Sequence, residues 1–132
     1  DKLHIRNCHH LHWQGDWSYR QYHRYNHTPH FEDIQLPKIR FNSKYVFHLF
    51  VIKTEKRDQL KTYLSENNVE TGIHYPIAIP FLGAYKNLGY HPNDFPVTFK
   101  QMHHLISLPL YPEITTRQII YTVDCLKASL GG

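Results

Sequence analysis

Residues 31–132 predict an α+β fold, a small sheet of about three strands packed against helices. Three observations carry this. Tyr45-Val46-Phe47-His48-Leu49-Phe50-Val51-Ile52 is a nearly continuous apolar run rich in β-branched and aromatic residues, the mark of a strand covered on both faces. Residues 57–66 place Leu60 and Leu64 at i, i+4 with charges between them, the mark of an amphipathic helix. The segments then follow the order β-α-β-α-α-β-α.

Each element has its own signal. Gln35-Leu36-Pro37-Lys38 is an extended lead-in to the first strand. Thr54 is placed to cap the helix at 57–66, and Asn67-Asn68 ends it. Residues 69–74 predict a second short strand, after which Pro76 and Pro80 break the chain. Residues 81–88 predict a short helix stopped by Gly89, with Tyr85 and Tyr90 expected to pack it on the core. Asn93-Asp94 opens a turn, and residues 97–104 predict another helix. Ile106-Ser107-Leu108 is a third short strand. Thr115 can cap a last helix whose apolar face carries Ile119, Ile120, Val123 and Leu126.

The chain divides at about residue 31. Residues 1–30 hold seven of the twelve histidines and both tryptophans, Trp13 and Trp17, with no helical or strand period. Such a segment has little to bury, and poor order or an origin outside the frame of the rest is expected for it. Its Cys8-His9-His10-Leu11-His12 run offers imidazole and thiolate to Zn²⁺, Ni²⁺ or Cu²⁺. Four ligands held as a tetrahedron seldom come from one short stretch, so no metal site is assigned.

Composition narrows the function classes. A chain of 132 residues is one domain, or one domain and a tail. It can bury roughly two-thirds of its unfolded surface and needs no disulfide or metal to fold. No apolar run approaches the ~18 residues of a membrane helix, and no signal peptide is expected. Cys8 and Cys125 form no metal or redox spacing, which fits a reducing compartment, the cytoplasm. The isoelectric point near 9.1 reflects a net charge of +4, half of it from residues 1–30; after residue 30 eleven Lys/Arg are scattered among nine acids, so nucleic acid is not the expected partner.

The ordered motifs resemble a known family. They are Val46 to Ile52 leading into Arg57-Asp58-Gln59-Leu60, then His74-Tyr75-Pro76 after Val69-Glu70-Thr71-Gly72-Ile73. Ala84-Tyr85-Lys86-Asn87-Leu88-Gly89-Tyr90 comes next, followed by Asp94-Phe95-Pro96 and Ile106-Ser107-Leu108-Pro109-Leu110-Tyr111-Pro112-Glu113-Ile114-Thr115. Residues 32–130 are similar to the C-terminal domain of the DegT/StrS sugar aminotransferases, which have the aspartate-aminotransferase fold. The resemblance implies a homodimeric enzyme using pyridoxal phosphate (PLP) to move an amino group, commonly from glutamate, to a nucleotide-linked keto-sugar. It also implies that PLP and its Schiff-base lysine belong to a large domain, so none is expected bound by this chain alone.

The residues agree with that division. PLP chemistry needs a lysine, a carboxylate at the ring nitrogen and a phosphate cup. None of the nine lysines lies in a Gly/Ser-rich context, and the six glycines are dispersed. No catalytic or cofactor-binding residue is therefore assigned. His74 and Tyr75, just past a strand end, are the substrate-binding candidates. Pro80 stands where the family often carries a second histidine. His48 is expected in the sheet as a core histidine, and His103-His104 as surface or cap residues. The Leu108–Pro112 prolines are expected to shape the strand exit rather than to bind a polyproline reader. Two other functions fit the same residues, a stand-alone nucleotide-sugar module using the His74 face and a His-rich metal-binding protein. Apolar surface made to meet the rest of the enzyme predicts self-association.

Overall fold

A computed structural model describes residues 21–25, 33–40, 42, 43, 45 and 47–130. Strands β1 (Phe50–Lys53) and β2 (Leu105–Leu108) form an antiparallel pair in the register Phe50↔Leu108, Val51↔Ser107, Ile52↔Ile106 and Lys53↔Leu105. Single bridges widen this ribbon, Gln35↔Lys53 outside β1 and Gly72↔Ser107 outside β2. Helices α1 (Arg57–Glu66), α2 (Pro96–Met102) and α3 (Thr116–Leu130) complete the order, with α1 and α3 in contact.

The sheet has two strands where about three were expected. Residues 69–74 contribute only the Gly72 bridge. Glycine has little strand preference, and the chain bends at His74 and turns through Tyr75 at φ 62°. The first strand is also shorter, starting at Phe50 rather than at 45. Phe47 is instead drawn into ring stacking against Tyr22, with centroids 4.7 Å apart. Burial alternates along β1, so the strand is covered on one face and not on both. His48 is exposed and is not a core histidine.

The core lies between the covered sheet face and the helices. Phe50, Ile52, Ile106 and Leu108 meet Leu60 and Leu64 of α1 and Ile119, Val123 and Leu126 of α3. Burying each such side chain contributes roughly 1.5–3 kcal/mol. Ile120, expected on that apolar face, is 55% exposed, because its position next to Ile119 turns it about 100° around the helix. Thr115 caps α3 as expected. Its Oγ1 accepts from Gln118 N–H at 3.2 Å, while Gln118 Oε1 accepts from Thr115 N–H at 2.8 Å. Thr54 does not cap α1. Its hydroxyl accepts the Lys56 N–H at 3.2 Å, a turn just ahead of the helix. Asn67 closes α1, and Asn68 takes the left-handed conformation at φ 57°.

Residues 21–25, placed in the tail by sequence, are helical and belong to this core. Gln21 Nε2 donates to Ile114 O at 3.1 Å, Tyr22 hydroxyl to Pro37 O at 3.1 Å, and Tyr25 hydroxyl to Pro109 O at 2.9 Å. The Tyr25 ring stacks on Phe50 at 4.5 Å. The expected poor order therefore does not extend to these five residues. Their apolar matter is aromatic, which a search for aliphatic periodicity passes over. The Cys8–His12 run lies outside the described residues.

Between Glu70 and Leu105 no residue is buried. The prolines at 80, 92 and 96 divide this stretch into short 3₁₀ turns, Ile79–Phe81, Gly83–Leu88 and Pro92–Asp94, ahead of α2. The helix expected at 81–88 is thus 3₁₀, closed by Gly89 at φ 66°. Tyr85 and Tyr90 are 43% and 44% exposed and do not pack on the core. The segment holds itself together through its own rings. Phe81 meets Phe99 edge-on at 5.5 Å, and Tyr90 meets Phe95 at 5.1 Å.

Candidate functional site

A cleft of about 620 Å³ runs from the Asn68–His74 segment, past the end of β2, to the first turns of α3. Its floor is apolar, from Leu49, Val69, Leu108 and Ile114. Its rim is polar, with Glu70, Thr71, His74, Arg117, Gln118 and Tyr121. Such a mixture of apolar floor and few polar groups suits a small ligand.

His74 stands at this cleft because of Gly72 and Ser107. Gly72 forms a reciprocal pair with Ser107, N–H to O at 3.0 Å and Ser107 N–H to Gly72 O at 2.7 Å. Ser107 is 4% exposed, so its hydroxyl requires a partner. His74 Nδ1 supplies it at 2.8 Å. The imidazole rests over Gly72, where an added Cβ would lie 2.6 Å from His74 Cε1. One nitrogen is thereby fixed by the sheet, which leaves Nε2 as the one available to a ligand.

The two sequence candidates part company here. His74 lines the cleft, whereas Tyr75 is 80% exposed, at positive φ, and outside the lining. Gly72, Ser107, Arg117, Gln118 and Tyr121 join His74 without having been singled out as site residues. A serine between Ile106 and Leu108 was the available signal, a polar residue inside a buried apolar strand.

Other candidates resolve into structural roles. His103 is the C-cap of α2 and lies edge-on to Phe99 at 5.3 Å. The His104 carbonyl accepts the Thr54 N–H at 3.0 Å. The stretch after β2 shapes the exit into α3, with Pro109 O bound by Tyr25 and Tyr111 O by the Ile114 N–H at 3.2 Å. Among the described residues, no three His, Cys, Asp or Glu come together as a metal site, and no helix is long and apolar enough to cross a membrane. The cleft does not suit PLP. No lysine lines it to form an imine with the aldehyde, and its one carboxylate is Glu70.

Comparison with known proteins supplies the context for this geometry. The sequence profile of the DegT/DnrJ/EryC1/StrS aminotransferase family matches residues 18–127, beginning ahead of the boundary expected at 31. The erythromycin biosynthesis sensory transduction protein EryC1 of Saccharopolyspora erythraea is 35% identical over 95 residues, 72% of this chain and 26% of that protein. The dTDP-3-amino-3,6-dideoxy-alpha-D-galactopyranose transaminase of Aneurinibacillus thermoaerophilus is 30% identical over 94 residues, 71% of this chain and 25% of that enzyme. In structure, a DegT DnrJ EryC1 StrS aminotransferase from Brucella abortus superposes with a TM-score of 0.77 at 21% identity, covering 89% of this chain and 31% of that one. S. venezuelae DesV, in complex with a ketimine intermediate, gives 0.71 at 24% identity, covering 86% and 30%. These two likenesses establish the fold. The chain spans about a quarter to a third of the length of these relatives.

Proposed function

Because the chain belongs to the DegT/DnrJ/EryC1/StrS aminotransferase family, we propose that it is the C-terminal domain of a PLP-dependent enzyme of this kind. The enzyme moves an amino group, commonly from glutamate, to a nucleotide-linked keto-sugar. Relatives named as transaminases of dTDP- and UDP-linked amino sugars support that substrate class. The part played by this domain is substrate contact. The observation that carries it is the His74–Ser107 bond of 2.8 Å, which presents a fixed imidazole at the cleft. His74 Nε2 is set to donate to, or accept from, a hydroxyl or carbonyl of the sugar. Tyr75, exposed beside it, covers the ligand from outside.

PLP, when bound, supplies the electron sink of transamination. The lysine it requires belongs to the part of the relatives that this chain does not span. The exposed apolar side chains between Tyr75 and Phe99 would then meet the rest of the enzyme, or a second copy, in the cytoplasm.

Mixing the purified chain with PLP, reducing with borohydride and mapping the adducts tests this division. Scattered, substoichiometric labelling of surface lysines is expected. One lysine labelled stoichiometrically would mean that the chain holds its own cofactor site, and would overturn the assignment.

A further inference from the structure

On the reading of the cleft as a nucleotide-sugar site, we infer that Arg117 sets the direction in which the ligand lies, taking the diphosphate at the α3 rim and leaving the sugar to the His74 rim. Apart from His74, the described lining of the cleft carries one carboxylate, Glu70, and one cation, Arg117. Glu70 stands on the segment that also carries His74. Arg117 stands at the far end, in the first turn of α3. The cleft is therefore negative at one rim and positive at the other. A nucleotide-linked neutral sugar has the matching asymmetry, with its charge confined to the diphosphate. In the reverse orientation the diphosphate would meet Glu70, and Arg117 would meet only hydroxyls.

Arg117 occupies a place where helix chemistry disfavours it. The unpaired N–H groups of a first turn make that end positive, so acidic side chains stabilise it and cations destabilise it. The first turn of α3 has no acidic residue to offset the arginine. Its guanidinium is exposed and has no ion pair among the described residues. A residue that breaks a local rule without a compensating contact marks a position where function decides. The planar fork of an arginine fits two phosphate oxygens at once. Gln118 beside it is preset as a donor. Its Oε1 accepts from the Thr115 N–H at 2.8 Å and from the Thr115 hydroxyl at 2.9 Å. The carbonyl end is thereby turned into the helix cap, which leaves the Nε2 hydrogens to the cleft that Gln118 lines.

NMR titrations of the purified chain with thymidine, dTDP and a dTDP-linked hexose separate the parts of the ligand. dTDP is expected to shift Arg117 and Gln118 while His74 stays in place, and to bind more weakly as salt rises. At low salt it should bind roughly tenfold or more tightly than thymidine. The linked hexose then adds the shift of His74. Arg117→Gln should raise the dTDP dissociation constant roughly tenfold, with Arg117→Lys in between. The Arg117→Gln chain should melt at or above the temperature of the parent, since a cation leaves the first turn. Equal affinity for dTDP and thymidine, or equal affinity of the parent and Arg117→Gln for dTDP, would overturn the assignment. So would dTDP shifts centred on Glu70 and His74, or a marked fall in the melting temperature of Arg117→Gln, which would make the arginine structural. A dTDP-linked hexose that moves His74 with an affinity untouched by Arg117→Gln would remove the role of Arg117 and leave the sugar contact standing. dTDP bound at Arg117, with no response of His74 to the linked hexose, would do the reverse.

Discussion

The imidazole of His74 rests on the α-carbon of Gly72, so closely that a Cβ at 72 would come within 2.6 Å of His74 Cε1. The contact explains why a glycine occupies the one bridging position of this segment. Its negligible side chain lets the ring reach across to Ser107.

Gly72→Ala should therefore act on the site more than on the fold. The ring lies at the end of an exposed side chain and can swing aside, so the cost should be confined to the buried Ser107 hydroxyl left without its partner, about 1–3 kcal/mol. The His74–Ser107 bond should break. The His74 ring signals in NMR are expected to shift toward those of a free imidazole, while the chain still melts cooperatively at a temperature lowered by several degrees. Unchanged His74 signals would show that the ring is not held as described.

The buried Tyr25 predicts alkaline instability. Burial, the largest cause, pushes its hydroxyl well above the ordinary value of 10.0, with the hydroxyl donating to Pro109 O. The folded state then holds this proton more tightly than the unfolded state does. The resulting stability is complete below pH 10 and is lost as pH rises beyond it. Denaturant titrations at pH 8 and pH 11 should show this fall, and Tyr25→Phe should flatten it. At pH 8 the same variant should cost about 1 kcal/mol for the lost hydrogen bond.

Truncation to residues 31–132 tests whether 21–25 belong to the domain. Tyr22 and Tyr25 are 5% and 1% exposed and stack on Phe47 and Phe50. Their removal opens a large gap in the core, and Tyr25→Ala alone should cost about 3–5 kcal/mol. A truncated chain that melts with the parent would restore the boundary at 31.

The cap of α3 gives a smaller, local effect. Thr115→Ala removes the hydroxyl half of its exchange with Gln118, leaving the Thr115 N–H to Gln118 Oε1 bond in place, and should cost about 1 kcal/mol, read as a shift in denaturant midpoint with an unchanged slope.

These elements differ in how far the sequence reveals them. α1 and α3 are legible because aliphatic residues at helical spacing, Leu60 with Leu64 and Ile119 with Val123, carry the burial. So are the Thr115 cap and the stop at Gly89, where local chemistry decides. The helical residues 21–25 are not, since their burial is by tyrosines that hydrogen-bond to distant carbonyls at Pro37 and Pro109. The second predicted strand, at 69–74, is misread because a β-rich composition cannot reveal that Gly72 finds one partner and that the chain turns at Tyr75. In the site, His74 is legible from its place after a strand and before a proline. Ser107 shows in the sequence only as a polar residue between Ile106 and Leu108, and its role exists only once the sheet sets it beside Gly72.

The most direct test is an NMR titration of the purified chain with a dTDP- or UDP-linked sugar. The account predicts a saturable change centred on His74, Ser107 and Arg117, lost in His74→Ala while the fold persists. Binding that leaves these three unmoved, or no binding at the highest attainable sugar concentration, would contradict a substrate-contacting role for this cleft.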